Sequence, residues 1–204
     1  HTEFIEKLAS NSAFQLIRMH TSAFSKSSYR EGPDGLIALS EAKEMSLSEL
    51  KLKEECTLLV LEGIEKPGNL GAIIRSAEGS GVDAILLNNC LLDTYNPNAI
   101  RASQGLLFRL PIINVETDYL HQWLKNNQFV SIATTPNTNN SYSEHSYTNR
   151  TALFMGSESH GLSEKMLKEA DHLIHIPMKG HADSLNVSVA TAICLYEINR
   201  QKSC

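Results

Sequence analysis

Residues 57–87, TLLVLEGIEKPGNLGAIIRSAEGSGVDAILL, form one complete strand-helix-strand unit. The apolar runs Thr57–Leu61 and Asp83–Leu87 are continuous rather than alternating, the pattern of strands buried on both faces. Between them a Pro-Gly turn opens a segment of helical period over Leu70–Ser80. The same rhythm continues along the chain. Leu110–Asn114, Phe129–Thr134, Thr151–Met155 and His172–Ile176 read as strands. Asn98–Gln104, Tyr119–Asn126, Glu164–Ala170 and a long final Val187–Gln201 read as helices. This alternation predicts an α/β fold, a parallel sheet with helices on both faces.

Two connections break the rhythm. Pro136–Arg150 is rich in Asn, Ser and Thr and reads as a surface loop, and Pro177–Leu185 joins the last strand to the last helix. Ligands of open α/β sheets sit at the carboxyl ends of the strands, so these loops are where chemistry is expected. Residues 1–56 differ from the rest: a short amphipathic helix near Glu3–Ala9, a Ser-rich stretch, then Gly35–Leu39 as a candidate strand. They read as an N-terminal segment, the tail end of another small domain, ahead of the domain over 57–204.

The 204 residues are 42% apolar and 20% charged, which is globular composition and excludes disordered and collagen-like classes. The formal net charge is −5, with −2 of it in residues 1–56 and −3 in the remainder, so neither part is a basic arm. A nucleic-acid partner must therefore be held by a few placed arginines or by material outside this chain. Cys56, Cys90, Cys194 and Cys204 contain no CxxC spacing, which favours reduced thiols and a cytoplasmic setting. The chain begins with His1 rather than Met, the mark of a tag remnant or a trimmed chain. No basic-then-apolar leader and no membrane-length apolar run is present, so secretion and membrane insertion are not expected.

Three junctions concentrate polar and small residues. In the first, Asn69 stands where a helix N-cap belongs, Gly71 permits close approach, and Arg75 has Glu78 at i+3 as an ordinary surface partner. Asn69 and Arg75 are about 600° of helix rotation apart, so they need not share a face. In the second, Met155-Gly156-Ser157-Glu158-Ser159-His160-Gly161-Leu162-Ser163, Glu158 reads either as a dipole-compensating carboxylate or as a site residue. Ser157 occupies the position where a nucleophile elbow around Ser159 requires glycine, which argues against a serine hydrolase. In the third, Ile176 to Ala190, either Ser184 or Asn186 can cap the last helix, and no capping box explains both. His172 and His175 point to opposite faces of a strand, so no shared metal is expected.

Together GNLGAIIRSAE, LFMGSESHGLS and IPMKGHADSLNVSVATAICLYEINRQ resemble the SpoU-type RNA ribose 2′-O-methyltransferases of the SPOUT class, in order and in spacing, over Thr57–Gln201. The resemblance implies a C-terminal deep trefoil knot from about Leu153 to the final helix. It implies S-adenosylmethionine (S-adenosyl-L-methionine) bound in the knot loops by Gly156, Ile176 and Leu185, with Thr134, Thr135 and Met178 as additions. It also implies a polar catalytic set of Asn69, Arg75, Glu158, Ser184 and Asn186, shared across a homodimer. The implied partner is RNA, ribosomal RNA before transfer RNA, with a non-catalytic RNA-binding relative as a further alternative. The resemblance further implies that residues 1–56 are the end of a small RNA-binding domain and 57–204 the methyltransferase domain.

Arg75 as the base that deprotonates the ribose is costly. Removing a proton from a pKa above ~12 at pH 7 costs about 7 kcal/mol. A bidentate grip on phosphate that also orients the hydroxyl is the reading preferred for it.

Overall fold

The computed structural model describes residues 2–11, 15–29, 32 and 35–202, so Cys204 lies outside the described residues. The chain divides into two compact units, His1–Glu41 and Ala42–Cys204.

The first unit holds α1 (Thr2–Ala9) and α2 (Thr21–Ser27). The His20 ring nitrogen caps α2 by accepting from the Ser22 N–H at 3.3 Å. None of its described residues is buried. Gly35–Leu39, expected as a strand, forms none. A strand needs a neighbour for its ladder and a core for its apolar side chains, and Leu36, Ile37 and Leu39 are all exposed.

The second unit carries β1 (Cys56–Glu62), α3 (Pro67–Gly79), β2 (Ala84–Asn88), α4 (Pro97–Ala102), β3 (Ile112–Asn114) and α5 (Thr117–Asn126). It continues with β4 (Val130–Thr134), β5 (Arg150–Met155), α6 (Glu164–Glu169), β6 (His172–Ile174) and α7 (Val187–Lys202). A single 3-10 turn, Leu106–Phe108, lies between α4 and β3. The six strands form one sheet in the order β3-β2-β1-β5-β4-β6, every neighbouring pair parallel. β1 is central: Leu59 stands opposite Ile85 on one side and Leu153 on the other.

Because successive strand residues face opposite ways, β1 feeds two cores. Leu59 and Leu61 pack with Leu70, Ile73 and Ile74 of α3 and Cys194, Leu195 and Ile198 of α7. Leu58 and Val60 pack with Leu120 and Leu124 of α5 and Met166 of α6. Helices therefore cover both faces, which is why the strands read as unbroken apolar runs. The second core also takes in Leu47, with Met45, Leu50 and Leu52 against it. Residues 42–55, grouped by composition with the N-terminal segment, thus belong to the sheet unit, whose boundary falls at 41/42 and not at 56/57.

Strand ends differ from the sequence expectation by one or two residues, as at β3 and β6. The polar loop after β4 is tied back to the sheet: Tyr142 N–H donates to the His175 carbonyl and His175 N–H to the Asn140 carbonyl, both at 2.9 Å. Cys56 and Cys194 are buried free thiols, and Cys90 is a half-buried one. Among the described residues no helix is long and apolar enough to cross a membrane.

Candidate active site

The chain lays down β1, β2 and β3 outward in one direction, then returns to place β5 and β4 on the other side of β1. Strand order thus reverses between β1 and β5, and loops leaving a reversal point diverge and open a crevice. Next to that point, at the carboxyl ends of β5, β4 and β6, lies a cleft of about 670 Å³. Its wall is made by 134–137 after β4, 155–158 and 160–162 around the end of β5, 175–178 after β6, and 183–185 before α7. Thr134, Thr135, Gly156, Ile176, Met178 and Leu185 all line it, as do Glu158 and Ser184. The lining mixes apolar side chains with main-chain groups and hydroxyls, and its size falls within the ~300–1,000 Å³ of small-molecule sites.

Gly156 is dictated by the loop that follows it. Ser157 and Gly161 exchange main-chain hydrogen bonds at 3.1 and 3.0 Å, folding 157–161 back over Gly156. A Cβ at 156 would stand 2.1 Å from the Gly161 carbonyl carbon and 2.2 Å from the Leu162 nitrogen. The same loop is anchored to β1: Ser163 N–H donates to the Glu62 carboxylate at 2.7 Å, and Glu62 is buried. Ser159 Oγ meets His160 Nδ1 at 2.8 Å on this exposed loop. Thr134 Oγ1 donates to the Phe154 carbonyl at 3.0 Å, closing the β4 side of the cleft.

Beside the cleft lies a recess of about 70 Å³ bounded by Gly63, Lys66, Asn69, Ser157, Glu158 and Val187. Glu158 belongs to both walls. The Asn186 amide donates to Glu158 Oε1 and, at 3.4 Å, to Asn69 Oδ1. Asn186 Oδ1 meanwhile accepts from the Ser188 N–H at 2.9 Å, so the same side chain caps α7 and enters the cluster. Asn69 is not the helix cap that the sequence suggested. α3 starts at Pro67 with Lys66 as its N-cap, which places Asn69 at the third helical residue and frees its amide for Asn186. Lys66, from the same turn, donates to Glu158 Oε2 at 2.8 Å. Lys66 holds the Glu158 carboxyl below the usual carboxylate range against partial desolvation, with Asn69 and the Val187 N–H adding to its effect.

Arg75 is not brought to this cluster within the chain. Six residues beyond Asn69 it stands about 9 Å further along the helix and turned away from it. It is exposed and lines neither the cleft nor the recess. The expected Arg75–Glu78 pair is replaced by one between Glu78 and Arg109 at 3.9 Å. Gly71 owes its size to helix packing: a Cβ there would lie 2.4 Å from the Ala102 Cβ of α4. His172 stands against His145, ring centroids 4.9 Å apart, whereas His175 lines the cleft. Among the described residues no group of three His, Cys, Asp or Glu side chains converges as metal ligands would.

Two residues in this arrangement carry little local sequence signal. Lys66 reads as one more charge beside Glu65, and only its partner 92 residues away gives it meaning. Glu62 sits at the end of an apolar strand, and its partner is 101 residues distant. A carboxylate closing a fully buried strand was the one available hint.

The family model of the SpoU rRNA methylases matches residues 56–196. The chain is 29% identical over 184 residues to the 23S rRNA (guanosine(2553)-2′-O)-methyltransferase RlmP of Bacillus subtilis (strain 168), covering 90% of this chain and 72% of that protein. Its fold matches the crystal structure of an RNA 2′-O ribose methyltransferase with a TM-score of 0.79 and 39% identity, over 90% of this chain and 70% of that one. It also matches the AdoMet-bound rRNA methyltransferase of Sinorhizobium meliloti with a TM-score of 0.84 and 30% identity, over 89% and 70% of the two chains. A cleft at the carboxyl ends of parallel strands, edged by an Asn-Glu-Asn cluster in a sequence matched along most of its length, has one reading: the chain belongs to the SpoU rRNA methylase family.

Proposed function

We propose that this protein transfers a methyl group from S-adenosylmethionine to a ribose 2′-hydroxyl of structured RNA, ribosomal RNA in first place. One observation carries the reading: a cofactor-sized cleft at the carboxyl ends of β5, β4 and β6 shares Glu158 with a polar recess at the β1/β5 reversal. The S. meliloti relative binds AdoMet in the same fold. The B. subtilis relative acts on 23S rRNA at a 2′-oxygen.

When bound, S-adenosylmethionine supplies a sulfonium methyl group whose transfer destroys a charge. Thr134, Thr135, Gly156, Ile176, Met178 and Leu185 hold it, with Met155 and Leu162 adding apolar wall that keeps water out. Ser184 lines the mouth of the same cleft. Asn69, Glu158 and Asn186 form a prearranged polar edge in the recess and orient the incoming nucleotide. Arg75 grips the phosphate beside the target ribose and points the 2′-hydroxyl at the methyl carbon. Transfer would break the methyl carbon–sulfur bond, leaving a neutral thioether, as the carbon–oxygen bond formed, and the hydroxyl proton would pass to solvent late in the step.

Arg75 lies outside its own cleft, which supports a homodimer in which each chain completes the other's site. The exposed Val189 and Tyr196 on α7 offer apolar surface for that contact. A C-terminal trefoil knot fits the chain path. After β6, at the sheet edge, the chain returns to pack α7 on α3, and its loop shares one cleft with the segments after β4 and β5. Free thiols at Cys56, Cys90 and Cys194 favour a reducing, cytoplasmic compartment. Residues 1–41 are read as the end of a separate RNA-binding module.

Calorimetric titration with S-adenosylmethionine tests the reading. One site per chain is expected, with unrelated nucleotides giving no heat. Absence of binding, or equal binding of ATP, overturns it.

A further inference from the structure

Gly71, Arg75 and Glu78 fall at i, i+4 and i+7 on α3 and so form one stripe. Both ends of that stripe are fixed against the segment that runs from α4 through the 3-10 turn. At one end Gly71 lies against Ala99 and Ala102 of α4; at the other Glu78 pairs with Arg109. Arg75 therefore falls between them on the stripe, on the side of the helix that faces the 101–109 segment. That segment is unusual in an acidic chain. Arg101 and Arg109 are exposed, and Arg101 has no ion-pair partner among the described residues. Phe108 is 64% exposed. Its ring is stacked on Tyr95 with centroids 6.3 Å apart and planes 23° apart, leaving its other face to solvent. Tyr95 is itself held, its hydroxyl donating to the Lys43 carbonyl at 2.6 Å. A large exposed aromatic ring braced from behind, with exposed arginines next to it and seven residues before it in the chain, is a stacking platform with positive charge close by.

We infer that Arg101, Phe108 and Arg109 form a binding surface for a single-stranded stretch of the RNA substrate, continuous with the Arg75 grip. The unstacked base next to the target nucleotide lies on Phe108, and Arg101 and Arg109 take the phosphates on either side. The inference rests on the RNA-methyltransferase reading and adds to it where the strand runs. It also explains how a chain of net charge −5 holds a polyanion: two exposed arginines and one exposed ring fall within residues 101–109, on the segment that packs along the Arg75 helix, with no basic field needed.

The experiment uses the full chain and unmodified 23S rRNA transcript, with filter-binding titrations at several salt concentrations. Phe108→Ala is expected to weaken binding about five-fold or more. Arg101→Ala and Arg109→Ala are each expected to reduce the slope of log affinity on log salt by about 0.7. Affinity for S-adenosylmethionine and the oligomeric state should stay at wild-type values in all three. RNA affinity unchanged in the variants, while the wild type binds and methylates RNA, overturns the surface and spares the methyltransferase reading. Weakened RNA binding accompanied by dissociation of subunits also overturns it, assigning the ring to a subunit contact. A wild-type protein that neither binds nor methylates RNA overturns both.

Discussion

Lys66 Nζ and Glu158 Oε2 stand 2.8 Å apart, joining the N-cap of α3 to the loop after β5. The pair spans the seam where strand order reverses, and Asn186 approaches the same carboxylate from the N-cap of α7. Lys66 lowers the Glu158 pKa from its ordinary 4.5. The stabilisation that goes with a lowered carboxylate pKa is present above the unfolded value and disappears as pH falls through the folded one. Lys66→Ala should therefore lower stability at neutral pH and make no difference in acid below the folded Glu158 pKa. If methylation needs Glu158 ionised, the acid limb of kcat/KM moves to higher pH in the variant. A pH–rate profile beside urea titrations at pH 7 and at acid pH checks both.

Asn186 performs two tasks that substitution can separate. Asn186→Ala removes the α7 cap and the cluster donor together, costing about 1 kcal/mol of stability and most of the activity. Asn186→Ser keeps a capping oxygen but has no amide to reach Glu158 and Asn69. It should melt close to wild type and lose activity to the same extent as the alanine variant. Thermal melts and initial rates on the pair measure this. Equal activity in Asn186→Ser and wild type would reduce Asn186 to a cap.

Gly156→Ala sets a Cβ against main-chain atoms of Gly161 and Leu162, which cannot rotate aside. Overpacking of this kind costs about 1–3 kcal/mol, and here the 157–161 loop must also shift. Because that loop forms a wall of the cleft, S-adenosylmethionine affinity should fall along with stability. Urea midpoints and calorimetry on the purified variant provide the two readings.

The sheet was legible because burial on both faces writes itself as continuous apolar runs such as Thr57–Leu61, and because helical and strand periods alternate. Gly35–Leu39 misled for a related reason. A local apolar run says nothing about whether a partner strand exists, and among the described residues none does. Asn69 misled through its chemistry: Asn is a favoured cap, yet Pro67 at the first helical position starts α3 earlier and leaves Lys66, a residue with no acceptor, as the cap. Glu158, Asn186 and the cleft residues were legible only as motifs in a known order, since their meeting depends on strand reversal. Lys66 and Glu62 escaped because their partners lie about half a chain away.

Burial pushes the thiols of Cys56 and Cys194 up to about 12, with Asp83 adding to the effect at Cys56. At pH 8 the thiolate fraction of each is then on the order of 10⁻⁴, and thiolate is the reactive form. Iodoacetamide labelling of the folded protein, mapped by mass spectrometry, should leave both unmodified until denaturant is added. Rapid native labelling of Cys194 would contradict the packing of α7 on the sheet.

Arg75 separates grip from acid–base work. Arg75→Lys retains a charge but loses the planar fork that holds phosphate at two points. A fall of about a hundred-fold or more in kcat/KM at every pH is expected. A variant with nearly full activity and a displaced pH profile would assign Arg75 the proton instead.

The most direct measurement supplies the protein with S-adenosylmethionine labelled in its methyl group and unmodified 23S rRNA transcript, then digests the RNA to nucleosides. Label is predicted in a 2′-O-methylnucleoside, which alkaline hydrolysis of a parallel sample leaves in a resistant dinucleotide, and absent with Arg75→Ala. Label in a nucleobase, or none in any ribosomal or transfer RNA, would contradict the assignment of this cleft to ribose methylation.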